Sequence, residues 1–132
     1  PKALHLALKE AAPHGIDCYF ENVGGWILDV VLSQMNAFGR IAVCGMIAGY
    51  DGMPLPLAAP ALILISRLKV QGFIVSEHMD VWPEALKELG GMIAGGKFKP
   101  RGSVALGIEA APEAFLGLLR GKNFGKQLVK LV

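Results

Sequence analysis

Apolar residues recur along this chain in two alternating rhythms, one with helical spacing and one in short continuous runs. Leu4, Ala7, Leu8 and Ala11 share a helical face until Pro13 and Gly15 stop the segment, which predicts a first helix. Ile16 to Phe20 is a short, partly aromatic run bounded by Gly15 and by Asn22-Val23-Gly24-Gly25, the punctuation of a strand and its turn. Helical spacing returns at Ile27, Val30, Val31, Met35 and Phe38, with Asp29, Ser33 and Asn36 facing away and Gly39 placed as a left-handed cap. Ile41 to Cys44 then reads as a second strand running into a glycine turn that ends at Tyr50.

Gly52, Pro54, Pro56 and Pro60 make the following stretch a loop. Ala61 to Leu68 is expected to be a short buried helix and Val70 to Val75 a third strand. Asp80 is a candidate N-cap for a fourth helix with Trp82, Ala85, Leu86, Leu89, Met92 and Ile93 on one stripe, ended by Gly95-Gly96. Trp82 and Met92 are expected in the core. A strand near Ser103 to Leu106, a helix opened by Pro112 and closed by Gly121, and a terminal strand from Gln127 to Val132 complete the pattern. Helices alternating with strands that are apolar on both faces predict an α/β fold, with a parallel sheet covered on both sides. In such sheets ligands bind outside the carboxyl ends of the strands. The loops at those ends are Glu21 to Gly24, Cys44 to Tyr50, and Phe73 to Ser76.

Composition narrows the function classes. The 132 residues are 53% hydrophobic and 18% charged, enough apolar material for the core of one domain. A net charge of +2 with scattered lysines gives no basic patch for nucleic acid or an anionic membrane surface. The longest apolar run, from about Leu55 to Ile65, is short of the ~20 residues that span a bilayer, and no signal peptide opens the chain. Cys18 and Cys44 fall in strands expected to be buried, without metal-ligand spacing, which suits a reducing compartment; the cytoplasm is expected, and no metal. The chain begins at Pro1 without an initiator methionine and reads as a piece of something longer.

The chain has no GxGxxG opening a helix, no Walker A sequence and no Ser/His/Asp constellation. His5, His14 and His78 read as surface or structural residues, and capping explains Asp80 more simply than an acid-base cluster with Glu77 and His78.

Five segments taken together carry a resemblance. Gly15-Ile-Asp-Cys-Tyr-Phe-Glu-Asn-Val-Gly-Gly25, Met35-Asn36 ahead of Gly39-Arg-Ile41, Cys44-Gly-Met-Ile-Ala-Gly-Tyr50, Gly72-Phe-Ile-Val75 and Gly121-Lys-Asn-Phe-Gly-Lys126 resemble, in order, the C-terminal half of the zinc-independent medium-chain dehydrogenase/reductases. The similarity is to the branch of prostaglandin reductases, leukotriene B4 12-hydroxydehydrogenases and bacterial curcumin reductases. It implies the second half of a Rossmann-type sheet with helices on both faces in residues 1–98. Residues 99–132 would be a strand-helix-strand tail belonging to a GroES-like substrate domain. The glycine-rich phosphate loop would lie in the part of such a protein that precedes these motifs.

The resemblance also implies NADP(H) as cofactor, an enone or enal as small-molecule substrate, and a homodimer. Asn22 matches an asparagine lying against the cofactor. Cys44, Gly45, Met46, Ile47, Ala48, Gly49 and Tyr50 match the loop beside the nicotinamide and its ribose, Gly45 and Gly49 allowing close backbone approach. Phe73, Ile74 and Val75 match the segment that fixes the carboxamide, and Asn123 an asparagine that reaches the phosphates. Tyr50 is the expected catalytic residue, a phenol donor to the carbonyl oxygen as hydride reaches the β-carbon. The plainer readings are that Tyr50 packs on a neighbouring turn, Cys44 is a small buried hydrophobe and Asn22-Val-Gly-Gly25 is a strand-to-helix turn. Two other classes compete: an inactive nucleotide-fold module that dimerises through an open strand edge, and a methyltransferase-like half-sheet. The second gives no reason for the paired glycine loops.

Overall fold

The computed structural model describes residues 1–131. The chain divides into two compact units, Pro1–Glu77 and His78–Val132. The first contains α1 (Lys2–Ala11), β1 (Ile16–Glu21), α2 (Gly25–Leu32), β2 (Met35–Val43), α3 (Ala61–Ile65) and β3 (Lys69–Gly72). Its strands form a parallel sheet in the order β1-β2-β3, with Tyr19 opposite Ile41, Glu21 opposite Val43 and Val43 opposite Gly72. Parallel strands in this register deliver three carboxyl ends to one edge, the arrangement the alternating pattern predicts.

Leu28, Val31 and Leu32 of α2 pack with Met35 and Ile41 of β2, and Leu8, Ile16, Tyr19, Val43, Leu62, Ile63 and Leu68 surround them. Complete burial of a side chain such as Leu32 contributes ~1.5–3 kcal/mol. Side chains alternate across a strand, so Tyr19 and Glu21 face this core while Cys18 and Phe20 are exposed. Cys44 lies just beyond β2 and is half-buried; neither cysteine is inside a buried strand as expected.

Several local expectations change. The second helix stops at Leu32, and Met35 and Phe38 belong to β2. Between the pairs Ile16–Met35 and Cys18–Arg40 the register shifts, so β2 takes up extra residues in an irregularity. There Phe38, not Gly39, has the left-handed backbone, with φ +64°. Its N–H donates to the Ser66 carbonyl at 2.7 Å and Arg67 lies 4.5 Å over its ring, contacts that offset the strain. Gly39 is required for space instead: a Cβ there would come within 2.7 Å of Met35 Cε and 3.0 Å of the Asn36 carbonyl oxygen. The helix at Ala61 is shorter than expected and not buried, Leu64 and Ile65 being exposed. The third strand ends at Gly72, although the Phe73 N–H still donates to the Val43 carbonyl at 3.1 Å.

A pair of 3-10 turns within Val75–Val81, kinked at His78, leads across the division between the units. Asp80 lies inside it, so Val81 rather than Asp80 precedes α4 (Trp82–Ala94). No residue of α4 is buried: Trp82 is exposed and Met92 only half-buried, which removes both from the expected core. The second unit continues with β4 (Gly102–Leu106), α5 (Ala111–Leu119) and β5 (Lys126–Lys130), β4 and β5 pairing in parallel with Val104 opposite Leu128. Pro112 sits in the first turn of α5 and Gly121 takes φ +65° beyond its end, as the sequence implies. Val132, the expected last strand residue, lies outside the described residues. Among the described residues no helix is long and apolar enough to cross a membrane, and no cluster of His, Cys, Asp and Glu could hold a metal ion.

Candidate functional site

The carboxyl edge of β1 and β2 is built by laying one loop on another. The Glu21 carbonyl accepts the Cys44 N–H at 2.8 Å and the Gly45 N–H at 3.3 Å. The Asn22 carbonyl accepts the Ile47 N–H at 3.3 Å and the Val23 carbonyl the Ala48 N–H at 3.0 Å. Gly24 and Gly25, with φ of +77° and +60°, let the first loop turn directly into α2. In the second loop Ile47–Gly49 form a 3-10 turn, and the Tyr50 N–H closes on the Ile47 carbonyl at 3.2 Å.

This folding brings three of the expected residues to one point. A Cβ on Gly45 would lie 2.7 Å from Asn22 Oδ1 and 3.0 Å from the Tyr50 hydroxyl oxygen. A side chain at position 45 would push the ends of the amide and the phenol aside. Tyr50 is 66% exposed, and its hydroxyl oxygen accepts the Met46 N–H at 3.4 Å. A phenol that accepts from the backbone keeps its own O–H to donate elsewhere. Met46 and Ile47 are also exposed, giving the edge an apolar rim, whereas Cys44 is half-buried.

Phe73, Ile74 and Val75 follow β3 at the same edge of the sheet. Phe73 stacks edge-on against Phe20, ring centroids 6.0 Å apart, while the Ile74 N–H donates to Glu77 Oε2 at 3.4 Å and Val75 is exposed. Asn123 belongs to the second unit, in the turn between α5 and β5, where its side-chain amide donates to the Gly125 carbonyl at 2.7 Å. His5 is structural, as expected: its carbonyl accepts the Gln34 amide at 3.1 Å, and its Nδ1 is 3.4 Å from Ser33 Oγ.

Two residues of this edge were not singled out by the sequence pattern. Glu21 is completely buried; its Oε1 accepts the Val23 N–H at 2.5 Å and the Gly24 N–H at 2.9 Å. The available signal was a carboxylate ending an apolar strand just ahead of two glycines. Leu55 belongs to the proline-rich loop yet seats on glycine backbone: a Cβ on Gly24 or Gly49 would come within 3.0 or 2.9 Å of it. It roofs an apolar cavity of about 230 Å³ lined with Leu28, Ile41, Val43 and Ile63. Beside Glu21, burial and then the carboxylate's charge push the Tyr19 phenol up to about 12.

The edge has the character of one end of a dinucleotide site: a glycine turn flanked by a side-chain amide and an outward phenol. Glycine backbone beside a side-chain amide and a phenol is a donor set that fits a nicotinamide and its ribose.

Comparison with known proteins finds no matching family model. Prostaglandin reductase 1 of Bos taurus is 46% identical over 132 aligned residues, covering 98% of this chain and 40% of that protein. An NADP(+)-dependent 2-alkenal reductase of Nicotiana tabacum is 44% identical over 127 residues, covering 96% of this chain and 37% of that protein. Among solved structures, CurA from Vibrio vulnificus in complex with NADPH superposes with a TM-score of 0.84 at 37% identity, covering 100% of this chain and 41% of that one. The chain thus spans about two fifths of the length of the relatives it matches. With its glycine-lined edge on a parallel half-sheet, it belongs to the zinc-independent medium-chain dehydrogenase/reductases, in the prostaglandin reductase and curcumin reductase branch.

Proposed function

We propose that this chain is the C-terminal part of an NADPH-dependent reductase of the C=C bond of α,β-unsaturated ketones or aldehydes. Residues 1–98 would be its half of the cofactor domain and 99–132 its contribution to the substrate domain. The names of the relatives support the reaction class. The observation that carries it in this molecule is the meeting of Asn22 and Tyr50 across the Gly45 cradle.

Bound there, a reduced nicotinamide supplies hydride for the β-carbon, and the protein's residues supply the rest. Gly45 and Gly49 allow close approach of the backbone, Asn22 offers an amide, and the Phe73–Val75 segment offers backbone groups for the carboxamide. Asn123 is assigned to the phosphates. Tyr50 donates its O–H to the substrate carbonyl oxygen, where negative charge builds as the β-carbon is reduced. Such oxyanion donors contribute ~3–4 kcal/mol, so Tyr50→Phe is expected to lower kcat by roughly 10²–10³ while leaving NADPH binding within about threefold.

The test is enone-dependent NADPH oxidation by the longer protein that carries this chain. A wild-type protein that consumes no NADPH with any of a panel of enones and enals overturns the reading. We also assign the protein to the cytoplasm and to a homodimer, checked by fractionation and by sedimentation. For the chain in isolation, the uncovered apolar stripe of α4 and the outer edge of β1 favour a second reading, an inactive module that self-associates.

A further inference from the structure

Glu21 is the charged side chain that is completely buried among the described residues, at 0% exposure. Its Oε1 takes two amides; the equally enclosed Oε2 has no close hydrogen-bond partner among the described residues, the Tyr19 phenol being the polar side chain that also acts on this carboxylate. Burying a carboxylate without full pairing is costly, and an apolar residue at the end of β1 would avoid that cost. What the glutamate adds in return is read from its contacts.

The side chain holds the first loop of the candidate site, and the backbone at the same position holds the second. The carboxylate of Glu21 binds the N–H groups of Val23 and Gly24, and its main-chain carbonyl binds those of Cys44 and Gly45. Gly24 is the residue before α2 and has no side chain with which to cap it, so Glu21 supplies an acceptor and a negative charge close to that helix start. Asn22 lies between the clamped points, and its amide oxygen and the Tyr50 hydroxyl oxygen close on the same glycine, Gly45. Movement of the first turn would carry Asn22 away and release the second loop through the bonds from Ile47 and Ala48.

We propose that Glu21 is a positioning residue, whose buried carboxylate locks the Asn22–Gly25 turn against the Cys44–Tyr50 loop so that Asn22 and Tyr50 present their polar groups at one place. The assignment rests on the reductase reading for its kinetic consequence but not for its structural one. Glu21 acts through Asn22 and Tyr50 and touches no reacting atom itself.

The experiment compares Glu21→Ala, Glu21→Gln and Glu21→Asp in the longer protein. An aspartate can reach the amides two and three residues on in the manner of an Asx-turn, so it is the rescuing variant. Amide hydrogen exchange in Glu21→Ala is expected to rise about tenfold in both Val23–Gly24 and Cys44–Tyr50, in proportion to the lost charge-assisted bonds. Glu21→Gln should give a smaller rise in both, and Glu21→Asp should return to wild type. In steady state kcat should fall about tenfold in Glu21→Ala with the enone KM changed less than about threefold. Tyr50→Phe should then cost clearly less in that background than in wild type, because a misplaced phenol has less to lose.

Exchange confined to Val23–Gly24, or a Tyr50→Phe loss of the same size in both backgrounds, overturns the proposal. If Glu21→Ala does not fold, the Gln and Asp variants decide by the same exchange measurement. Should the wild type oxidise no NADPH, the reductase reading falls, while exchange still decides whether Glu21 couples the loops.

Discussion

Helices α2 and α4 carry the same kind of apolar stripe and meet opposite fates. In α2 the stripe closes on the sheet, and Leu32 is 2% exposed. In α4, Leu86, Leu89 and Ile93 recur with the same period, yet Leu86 is 63% exposed and no residue of the helix is buried. Periodicity states which side of a helix is built for burial; it does not state that the covering surface is in the same chain. The hydrophobic effect rewards area removed from water, so the two stripes differ in what they contribute here despite their likeness on paper.

The largest expected effect tests that difference directly. Leu32→Ala should destabilise this chain by ~2–5 kcal/mol, the loss typical of emptying a packed leucine site. Leu86→Ala should stay within about 0.5 kcal/mol, as exposed substitutions do. Urea unfolding followed separately by far-ultraviolet dichroism for each variant measures both. Equal losses would mean that the α4 stripe is covered after all and would break the comparison.

A second effect concerns association. An uncovered stripe of large apolar residues is a surface for another chain, so the isolated chain should sediment as a concentration-dependent mixture. Leu86→Lys combined with Leu89→Glu should shift that mixture toward monomer by about tenfold in dissociation constant, a change of about 1.4 kcal/mol. Monomers at every concentration in the parent chain would remove α4 as an associating surface. In the longer protein the same pair of substitutions should instead lower stability, if that protein supplies the cover.

What could be read beforehand follows the same division between local pattern and distant cover. The order of helices and strands and the three carboxyl-end loops were legible because apolar runs and glycines encode them locally, whereas Asn22, Gly45 and Tyr50 were picked out only by the resemblance of their motifs to a family. The exposure of Trp82 and the incomplete burial of Met92 were not legible, since burial needs a surface the pattern does not contain. Met35 and Phe38 kept helical spacing by coincidence, and β2 claimed them because its parallel pairing with β1 begins at Met35. Gly39 looked like a cap but is glycine because Met35 and the Asn36 carbonyl leave no space for a Cβ. Glu21 was passed over for a related reason, as a charged residue closing a strand normally points to water, and only the turn toward Val23 and Gly24 draws it inward.

The smallest effect separates cover from charge at the core that α2 closes. Tyr19 packs there, two residues before Glu21, and its phenol is raised from 10.0 to about 12, first by burial and then by the carboxylate's charge. Below pH 10.0 the phenol is neutral in both the folded and unfolded chain, and its contribution to stability is complete. Between that value and about 12 the unfolded chain gives up its proton while the folded chain retains it, so stability falls with rising pH and the decline ends above the folded value. Tyr19→Phe should flatten that decline. In a Tyr50→Phe background, where Tyr19 is the remaining tyrosine, ultraviolet titration reads its ionisation alone. Leu32→Ala, by loosening the cover, should move the titration down toward the ordinary phenol, and Glu21→Gln should move it less, because burial is the larger cause. If Glu21→Gln alone restores the ordinary value, charge rather than cover sets the phenol, and the contrast between α2 and α4 loses its electrostatic counterpart.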